Sequence, residues 1–154
     1  ECRWQPVPSR RGQIVSLIVQ ALDATEAERA QSYRRIIATL ETALALGGNP
    51  RNVTSRYDGT ALIAAAHLGH DGVVRALIRA GAPVDHVNNL GWTALIESIV
   101  LGDGGPRHVA TMKALIDGGA NVNLADRSGT TPLALARSRG FAPMVALLTQ
   151  SGAR

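Results

Sequence analysis

The sequence predicts an all-α fold, a solenoid of about four stacked helix-turn-helix units joined by short hairpins and turns. A motif of threonine, a small residue and leucine recurs at Thr60, Thr93 and Thr131, with spacings of 33 and 38 residues. Each motif is followed by two segments whose apolar residues fall at helical spacing. Only 3% of the 154 residues are aromatic, so the core must consist of Ala, Leu, Ile and Val, which suits closely packed helices.

The first helix of each unit should begin at the motif threonine, since threonine is a favourable N-cap residue. Thr131 carries the strongest signal because Pro132 follows it, and proline at the first helical position loses no hydrogen bond. The helix is rich in alanine, as in residues 64–66, and can therefore approach its neighbours closely. A glycine stands where each of these helices should stop: Gly69, Gly102 and Gly140.

The second helix of each unit should end at a glycine in the left-handed conformation. Its apolar residues fall at helical spacing, for example at Val73, Val74, Leu77 and Ile78. The terminal glycines are Gly81, Gly119 and Gly152. The polar segments 85–91 and 123–129 contain the Asn, Asp and Gly that turns require, so they are predicted to link one unit to the next.

The middle unit is longer than its neighbours. Leu77, Leu115 and Leu148 stand before the terminal glycines with spacings of 38 and 33 residues, the reverse of the threonine spacings. Five extra residues therefore lie between the two landmarks of the middle unit, within or near residues 102–106. The glycines of this segment favour a flexible inserted loop.

The first unit is degenerate and is predicted over residues 13–54. Thr25 and Glu28 form a capping box, from which a long helix should run through Ile36 and Leu40 to Gly47. The apolar residues of segment 14–22 would form its partner helix. A terminal repeat has one face without a neighbour, so residues 13–54 are expected to cap the solenoid, and residues 1–12 to be a loose tail.

These motifs closely resemble those of the ankyrin repeat family over roughly residues 48–153. The resemblance rests on segments 58–62, 81–85, 91–95, 119–123 and 126–133, together with Gly69-His70. It implies repeats at 55–87, 88–125 and 126–154 after the degenerate first unit. One departure is that Ile63, Ile96 and Ala134 stand where the family usually has a histidine bonded to the threonine hydroxyl, so these turns are expected to be held less firmly.

The resemblance implies a module that binds a partner protein through its turn tips and concave face. Trp92, Tyr57 and the arginines are residue types that dominate binding energy in interfaces, although Trp92 could instead pack on the adjacent hairpin. The alignment places these residues on that face: Arg56, Tyr57, His67, Leu68, Asn89, Leu90, Trp92, Val100, Leu101, Arg127, Ser128, Thr130 and Arg139.

A second hypothesis is an immunity, inhibitor or regulatory protein whose basic rim covers the acidic site of one enzyme. The formal net charge is +4, of which residues 1–56 carry +3 and residues 57–154 carry +1. The basic residues form no run longer than pairs, so no continuous phosphate-binding stripe and no nucleic-acid partner are expected. The scarcity of aromatic residues also disfavours base stacking.

No catalytic or cofactor signature is found, so we expect neither an enzyme nor a bound cofactor or metal. His67 and His70 are three residues apart and could share a metal, but His70 occupies the turn-histidine position of the family. Segment 102–105 could cradle a phosphate, but no Lys-Ser/Thr pair follows it. Glu97 and Asp103 could be paired carboxylates, but no neighbouring His or Arg marks a pocket around them, so they are expected on a solvated face.

The compartment stays open. Cys2 is the single cysteine and cannot form an intramolecular disulfide. The longest apolar stretch, residues 14–22, is much shorter than the roughly 20 residues of a membrane-spanning helix, so no membrane partner is expected. The chain starts at Glu1 and not at Met. We expect a cytoplasmic monomer, with export after removal of a signal peptide as the alternative.

Overall fold

The computed structural model describes residues 26–154, and their side chains from residue 30 onwards. Within this part of the chain the backbone forms helices, and the only β-type pairing is one isolated bridge between Val53 and Thr60. The all-α prediction is therefore confirmed. The predicted tail, the predicted helix of segment 14–22 and Thr25 lie outside the described residues. The helices are α1 (Glu26–Ala45), α2 (Ala61–His67), α3 (Asp71–Arg79), α4 (Ala94–Val100), α5 (Pro106–Asp117), α6 (Pro132–Ser138) and α7 (Ala142–Gln150).

Helix α1 is the long helix that the sequence predicts. It has 20 residues, and Gly47 follows it with a φ of 92°, a left-handed conformation that glycine adopts without strain. Ile36 and Leu40 are buried. This helix belongs to a compact unit that ends at residue 49, while helices α2 to α7 belong to a second unit of residues 50–154. That residues 13–54 act as a capping repeat stays a prediction.

The second unit consists of two rows of stacked helices. Helices α2, α4 and α6 pack in that order and form the first-helix row, while α3, α5 and α7 form the second-helix row. Ala65 and Ala66 are fully buried in α2, and such small side chains let neighbouring helices approach closely. The core is filled by aliphatic side chains that are at most 1% exposed, among them Leu62, Leu77, Leu95, Leu115 and Leu148.

The helix ends are made as predicted. The hydroxyls of Thr60, Thr93 and Thr131 each accept a hydrogen bond from the backbone N–H three residues later, at 3.4, 3.2 and 3.3 Å. These N-caps therefore form although Ile63, Ile96 and Ala134 stand where the family usually has a histidine. Gly81 and Gly119 end α3 and α5 with φ values of 87° and 90°, in the left-handed conformation that such C-caps require.

The insertion in the middle unit is mainly helical. Helix α5 has 12 residues against nine in α3, and the turn before it covers residues 101–105 against 68–70 in the preceding unit. Three of the five extra residues thus lengthen the helix and two lengthen the turn. Asp103 Oδ1 accepts hydrogen bonds from the Gly105 N–H at 2.8 Å and from His108 Nδ1 at 2.7 Å. The segment is therefore a bonded turn with a longer helix, and not the flexible loop that its glycines suggested.

None of the helices in residues 26–154 is long and apolar enough to cross a bilayer.

Replacing Thr111 by valine is expected to raise the free energy of unfolding by about 1 kcal/mol. Thr111 is fully buried in α5, and its hydroxyl has no hydrogen-bond partner among the described residues. A buried hydroxyl without a partner loses its hydration and gains nothing in return, whereas the valine methyl has nearly the same shape. Urea denaturation of the two chains measures the difference.

Thr111→Ser is the matched control, because it keeps the hydroxyl and removes the methyl group. The serine variant should be less stable than the original chain, since it loses buried apolar surface. A valine variant that unfolds at lower urea concentration would show that the Thr111 hydroxyl is bonded in solution.

Candidate interaction surface

The thirteen residues predicted to contact a partner all lie at the surface of the second unit. None of them is fully buried, and Leu68, Trp92, Val100 and Thr130 are the half-buried members. We call this set the interaction face: Arg56, Tyr57, His67, Leu68, Asn89, Leu90, Trp92, Val100, Leu101, Arg127, Ser128, Thr130 and Arg139. Their exposure permits contact with a partner, and their role stays a prediction.

The three hairpin tips share one construction. A side-chain oxygen at Ser55, Asn88 or Asp126 accepts hydrogen bonds from the backbone N–H groups two and four residues later, at distances of 2.9–3.3 Å. Such side-chain-to-backbone bonds hold a tight turn in one conformation. The positions repeat with the spacings of the threonine motif. Each tip therefore presents its exposed side chains from a fixed backbone.

The first two tips are also bonded to each other. The Asn89 N–H donates to the Tyr57 carbonyl at 2.8 Å, and His86 Nε2 lies 2.6 Å from the Asp58 carbonyl oxygen. Asp58 has a φ of 60°, in the left-handed region that non-glycine residues seldom adopt. These contacts fix the spacing between Tyr57 and the second tip.

The arginines of the interaction face already make contacts within the chain. The Arg56 guanidinium lies 4.8 Å from the centre of the Tyr57 ring and donates to the Tyr57 hydroxyl at 2.6 Å. Arg139 donates to the Gly102 carbonyl at 3.1 Å, and its guanidinium lies 5.2 Å from the Phe141 ring. Each side chain therefore offers a partner a positioned, partly exposed cation.

Arg127 packs against the second hairpin tip. A Cβ placed on Gly91 would lie 2.5 Å from the Arg127 Cγ, so the side chain runs across the Gly91 backbone. Gly91 also has a φ of 82°, and both facts require glycine there. Trp92 beside it is half-buried, so part of its side chain packs within the chain and part is accessible to a partner.

An open cleft of about 300 Å³ lies within the interaction face. Its walls include Tyr57, Ile63, Leu90 and Leu101, and Glu97 and His67 supply its ionisable groups. We call it the Glu97 cleft. Tyr57, Leu90 and Leu101 are 43–45% exposed and are three of the six exposed large apolar residues in the described part of the chain.

Glu97 is buried, which corrects the prediction that it lies on a solvated face. The residue is 6% exposed, Glu97 Oε1 accepts a hydrogen bond from Asn88 Nδ2 at 2.7 Å, and Oε2 lies 3.7 Å from His67 Nδ1. Burial raises the pKa of Glu97, and the hydrogen bond from Asn88 opposes that shift. Loss of solvent lowers the pKa of His67, and the charge of His108 lowers it further. The cleft thus holds a carboxyl group beside an imidazole that favours its neutral form.

Asp103 is exposed as predicted, but it is bonded to His108 and does not pair with Glu97. The expectation that neither carboxylate has a histidine neighbour was therefore wrong for both. His108 Nε2 lies 2.9 Å from the His67 carbonyl oxygen, so both ring nitrogens of His108 face acceptors. This ring holds the inserted segment against the end of α2.

His67 and His70, which could share a metal ion, do not belong to a larger cluster of metal-ligating side chains in the described part of the chain. Among the described residues, no three histidine, cysteine, aspartate or glutamate side chains are grouped so that they could hold a metal ion. His67 faces Glu97, while His70 is buried and lies 3.5 Å from an Arg107 nitrogen. Burial, with a contribution from Arg107, lowers the pKa of His70 to about 4.

Asn88 and Glu97 are the residues that the sequence reasoning did not assign to the site. A signal was available for Glu97, because the repeat aligns it with Ala64 and Leu135, which are apolar. A single acid at an aligned apolar position indicates a local function in one unit. Asn88 is aligned with Ser55 and Asp126, and of the three it alone has an amide that can donate to Glu97.

Comparisons of the sequence and of the structure with known proteins all find ankyrin repeat proteins. The family model described as ankyrin repeats, in three copies, matches residues 30–124. YahD, an ankyrin repeat protein of Escherichia coli (strain K12), is 41% identical over 103 residues, which is 66% of this chain and 51% of that protein. The chain thus spans about half the length of this relative.

Two crystal structures resemble the fold. An ankyrin repeat domain from Acinetobacter baumannii AYE matches with a TM-score of 0.69 and 38% identity, over 87% of this chain and 81% of that one. The ankyrin repeat protein EF0377 matches with a TM-score of 0.70 and 32% identity, over 75% of this chain and 58% of that one. These names describe repeats and state no partner.

Proposed function

The chain belongs to the ankyrin repeat family, and we propose that it binds a partner protein through the interaction face and carries out no chemistry of its own. Ankyrin repeats are generally protein–protein interaction modules, and proteins of this family are generally non-catalytic.

The distribution of exposed apolar residues carries the proposal. Tyr57, Leu90 and Leu101 are each more than 40% exposed and line one cleft, although they come from two hairpin tips and a helix end. Contiguous exposed apolar surface rimmed by polar groups is typical of sites that bind another protein. The tips that hold these residues have fixed backbones, so little conformational entropy is lost when a partner binds.

Capture of a partner from lysate by the immobilised chain, followed by mass spectrometry, tests this proposal. Trp92→Ala and Arg127→Ala should each weaken binding of the captured partner by about tenfold or more, since truncated tryptophan and arginine anchors often cost 2 kcal/mol. Both variants should keep the helical circular dichroism spectrum. Lysate treated with nuclease should give the same capture, because no nucleic acid is expected in the complex.

Lys113→Ala is the matched control, because it also removes one exposed cation but lies on α5 in the second-helix row. This variant should capture the partner as the original chain does. Equal capture by all three variants would place the contact surface elsewhere and contradict the proposed face.

The second candidate is a protein that neutralises or regulates one enzyme. Arg56, Arg127 and Arg139 give the interaction face three exposed basic residues, which suits an acidic partner surface. The activity of the captured partner, measured with and without the chain, separates the two candidates. Inhibition that is lost in Arg127→Ala would favour this second function, whereas unchanged activity of the bound partner would favour a simple binding module.

A further inference from the structure

We propose that the Glu97 cleft receives a lysine side chain of the partner protein, with the ammonium group bound between Glu97 and His67. This inference rests on the proposed function and names the chemistry of the partner at one place on the interaction face. It adds a specific side-chain site to a surface whose other residues could meet many partners.

The size and walls of the cleft suit one long side chain. Its volume of about 300 Å³ lies at the lower end of the range for small-molecule pockets. Tyr57, Leu90 and Leu101 line an apolar entrance, and Ile63 continues the apolar wall. A lysine side chain covers apolar surface with its four methylene groups and carries its charge at the tip, so it matches an apolar wall above a carboxylate.

The charge at the end of the cleft selects a cation. Glu97 is 6% exposed, and its side-chain neighbours are the neutral amide of Asn88 and the imidazole of His67, with no lysine or arginine of the described residues paired to it. A buried carboxylate without an ion pair is costly, which is why burial raises the pKa of Glu97. A cation that enters the cleft offsets this cost. A neutral apolar side chain would remove the remaining solvent and increase it.

The geometry favours lysine over arginine. Glu97 Oε1 already accepts from Asn88, so Oε2 is the oxygen with more room for a partner. An arginine fork binds best to both oxygens of a carboxylate, whereas an ammonium group needs separate acceptors around a point. Oε2 and His67 Nδ1 are 3.7 Å apart, so one ammonium group can donate to both. The lowered pKa of His67 keeps that ring neutral and able to accept.

The test is an NMR titration of the full chain with small probes. The probe is N-acetyl-lysine methylamide, and the matched neutral probe is N-acetyl-norleucine methylamide, which has the same stem without the ammonium group. The lysine probe should shift the backbone amides of Leu90, Glu97 and His67 in a saturable manner. Norleucine and the equivalent arginine probe should bind at least several-fold more weakly.

Glu97→Gln removes the charge but keeps an oxygen that can accept from Asn88. This variant should weaken binding of the lysine probe by about tenfold or more, as expected for loss of a desolvated ion pair. His67→Ala is the second variant, because His67 is exposed and its removal should leave the fold intact. It should also weaken the lysine probe, by a smaller factor, through loss of the second acceptor.

Three results would overturn the inference: no localised saturable shifts with the lysine probe, equal binding of the norleucine or arginine probe, or unchanged lysine binding by both variants. Failure here is distinguishable from failure of the proposed function. Partner capture that depends on Trp92 and Arg127 would stand without a lysine site. Conversely, lysine binding in the cleft with capture insensitive to Trp92 and Arg127 would keep the site and reject the larger face.

Discussion

Replacing Leu115 by alanine is expected to lower the free energy of unfolding by about 3 kcal/mol, within a range of roughly 2–5 kcal/mol. Leu115 is 0% exposed in α5, and the equivalent residues Leu77 and Leu148 are 1% and 0% exposed in α3 and α7. The truncation leaves a cavity between stacked helices, and close-packed neighbours fill it only in part. Urea denaturation followed by circular dichroism measures the loss.

Leu46→Ala makes the same chemical change at a residue that is 77% exposed. Its expected effect is below about 0.5 kcal/mol, because little apolar surface is removed from the interior. Equal effects of the two substitutions would mean that Leu115 is not a core position and that the repeat alignment is wrong at this leucine.

Lowering the pH from about 7 to about 4 is expected to destabilise the chain through His70 by about 2–3 kcal/mol. Burial is the main reason that the pKa of His70 is lowered from 6.5 to about 4; Arg107 and His108 also lower it, and Asp71 opposes them. Over this pH interval the His70 imidazole is therefore protonated in the unfolded chain, whereas it stays largely neutral in the folded chain. The contribution of neutral His70 to the free energy of unfolding is fully present above the pKa that the residue has in the unfolded chain. It is lost as the pH falls towards the pKa that the residue has in the folded chain.

His70→Asn isolates this contribution, because the variant retains the other titrating groups. The stability lost between the two pH values should be larger for the original chain than for the variant. Glu97 has the opposite sign, since its raised pKa favours the folded state at low pH, but it is shared by both chains and cancels in the comparison. Parallel pH profiles of the two chains would contradict a neutral, buried His70.

The helices could be predicted from sequence because their signals are local. The N-caps at Thr60, Thr93 and Thr131 and the left-handed glycines depend on residues close in the chain, and the structure confirms them. The end of α1 near Gly47 was predictable for the same reason. Order of stacking followed from the repeat, because each unit can bury its apolar side only against the next one.

The inserted segment and the cleft depend on contacts that the chain makes over longer distances. Asp103, Gly104 and Gly105 suggested a flexible loop, but His108 binds Asp103 and reaches the His67 carbonyl 41 residues away. Glu97 is expected on a solvated face from the sequence, because no neighbouring His or Arg marks a pocket around it. Its neighbours His67 and Asn88 come from the end of α2 and from the second hairpin tip, which local sequence patterns do not bring together.

The residues of the interaction face lie at the surface, but their binding role stays a prediction and their partner could not be predicted. The side-chain hydrogen bonds of Ser55, Asn88 and Asp126 fix the backbone of the three hairpin tips, but they leave the exposed side chains free to vary. Sequence periodicity predicts the backbone of these tips but does not predict which partner the exposed side chains recognise. The charge and the apolar walls of the Glu97 cleft are the features of the structure that restrict the chemistry of the partner.

Amide hydrogen exchange of the chain, alone and saturated with its captured partner, tests the proposed binding face most directly. Protection should appear in the tips at 55–59, 88–92 and 126–130 and at the ends of α2, α4 and α6. Protection confined to α3, α5 and α7 would show that the partner binds the second-helix row, and would contradict the proposed function.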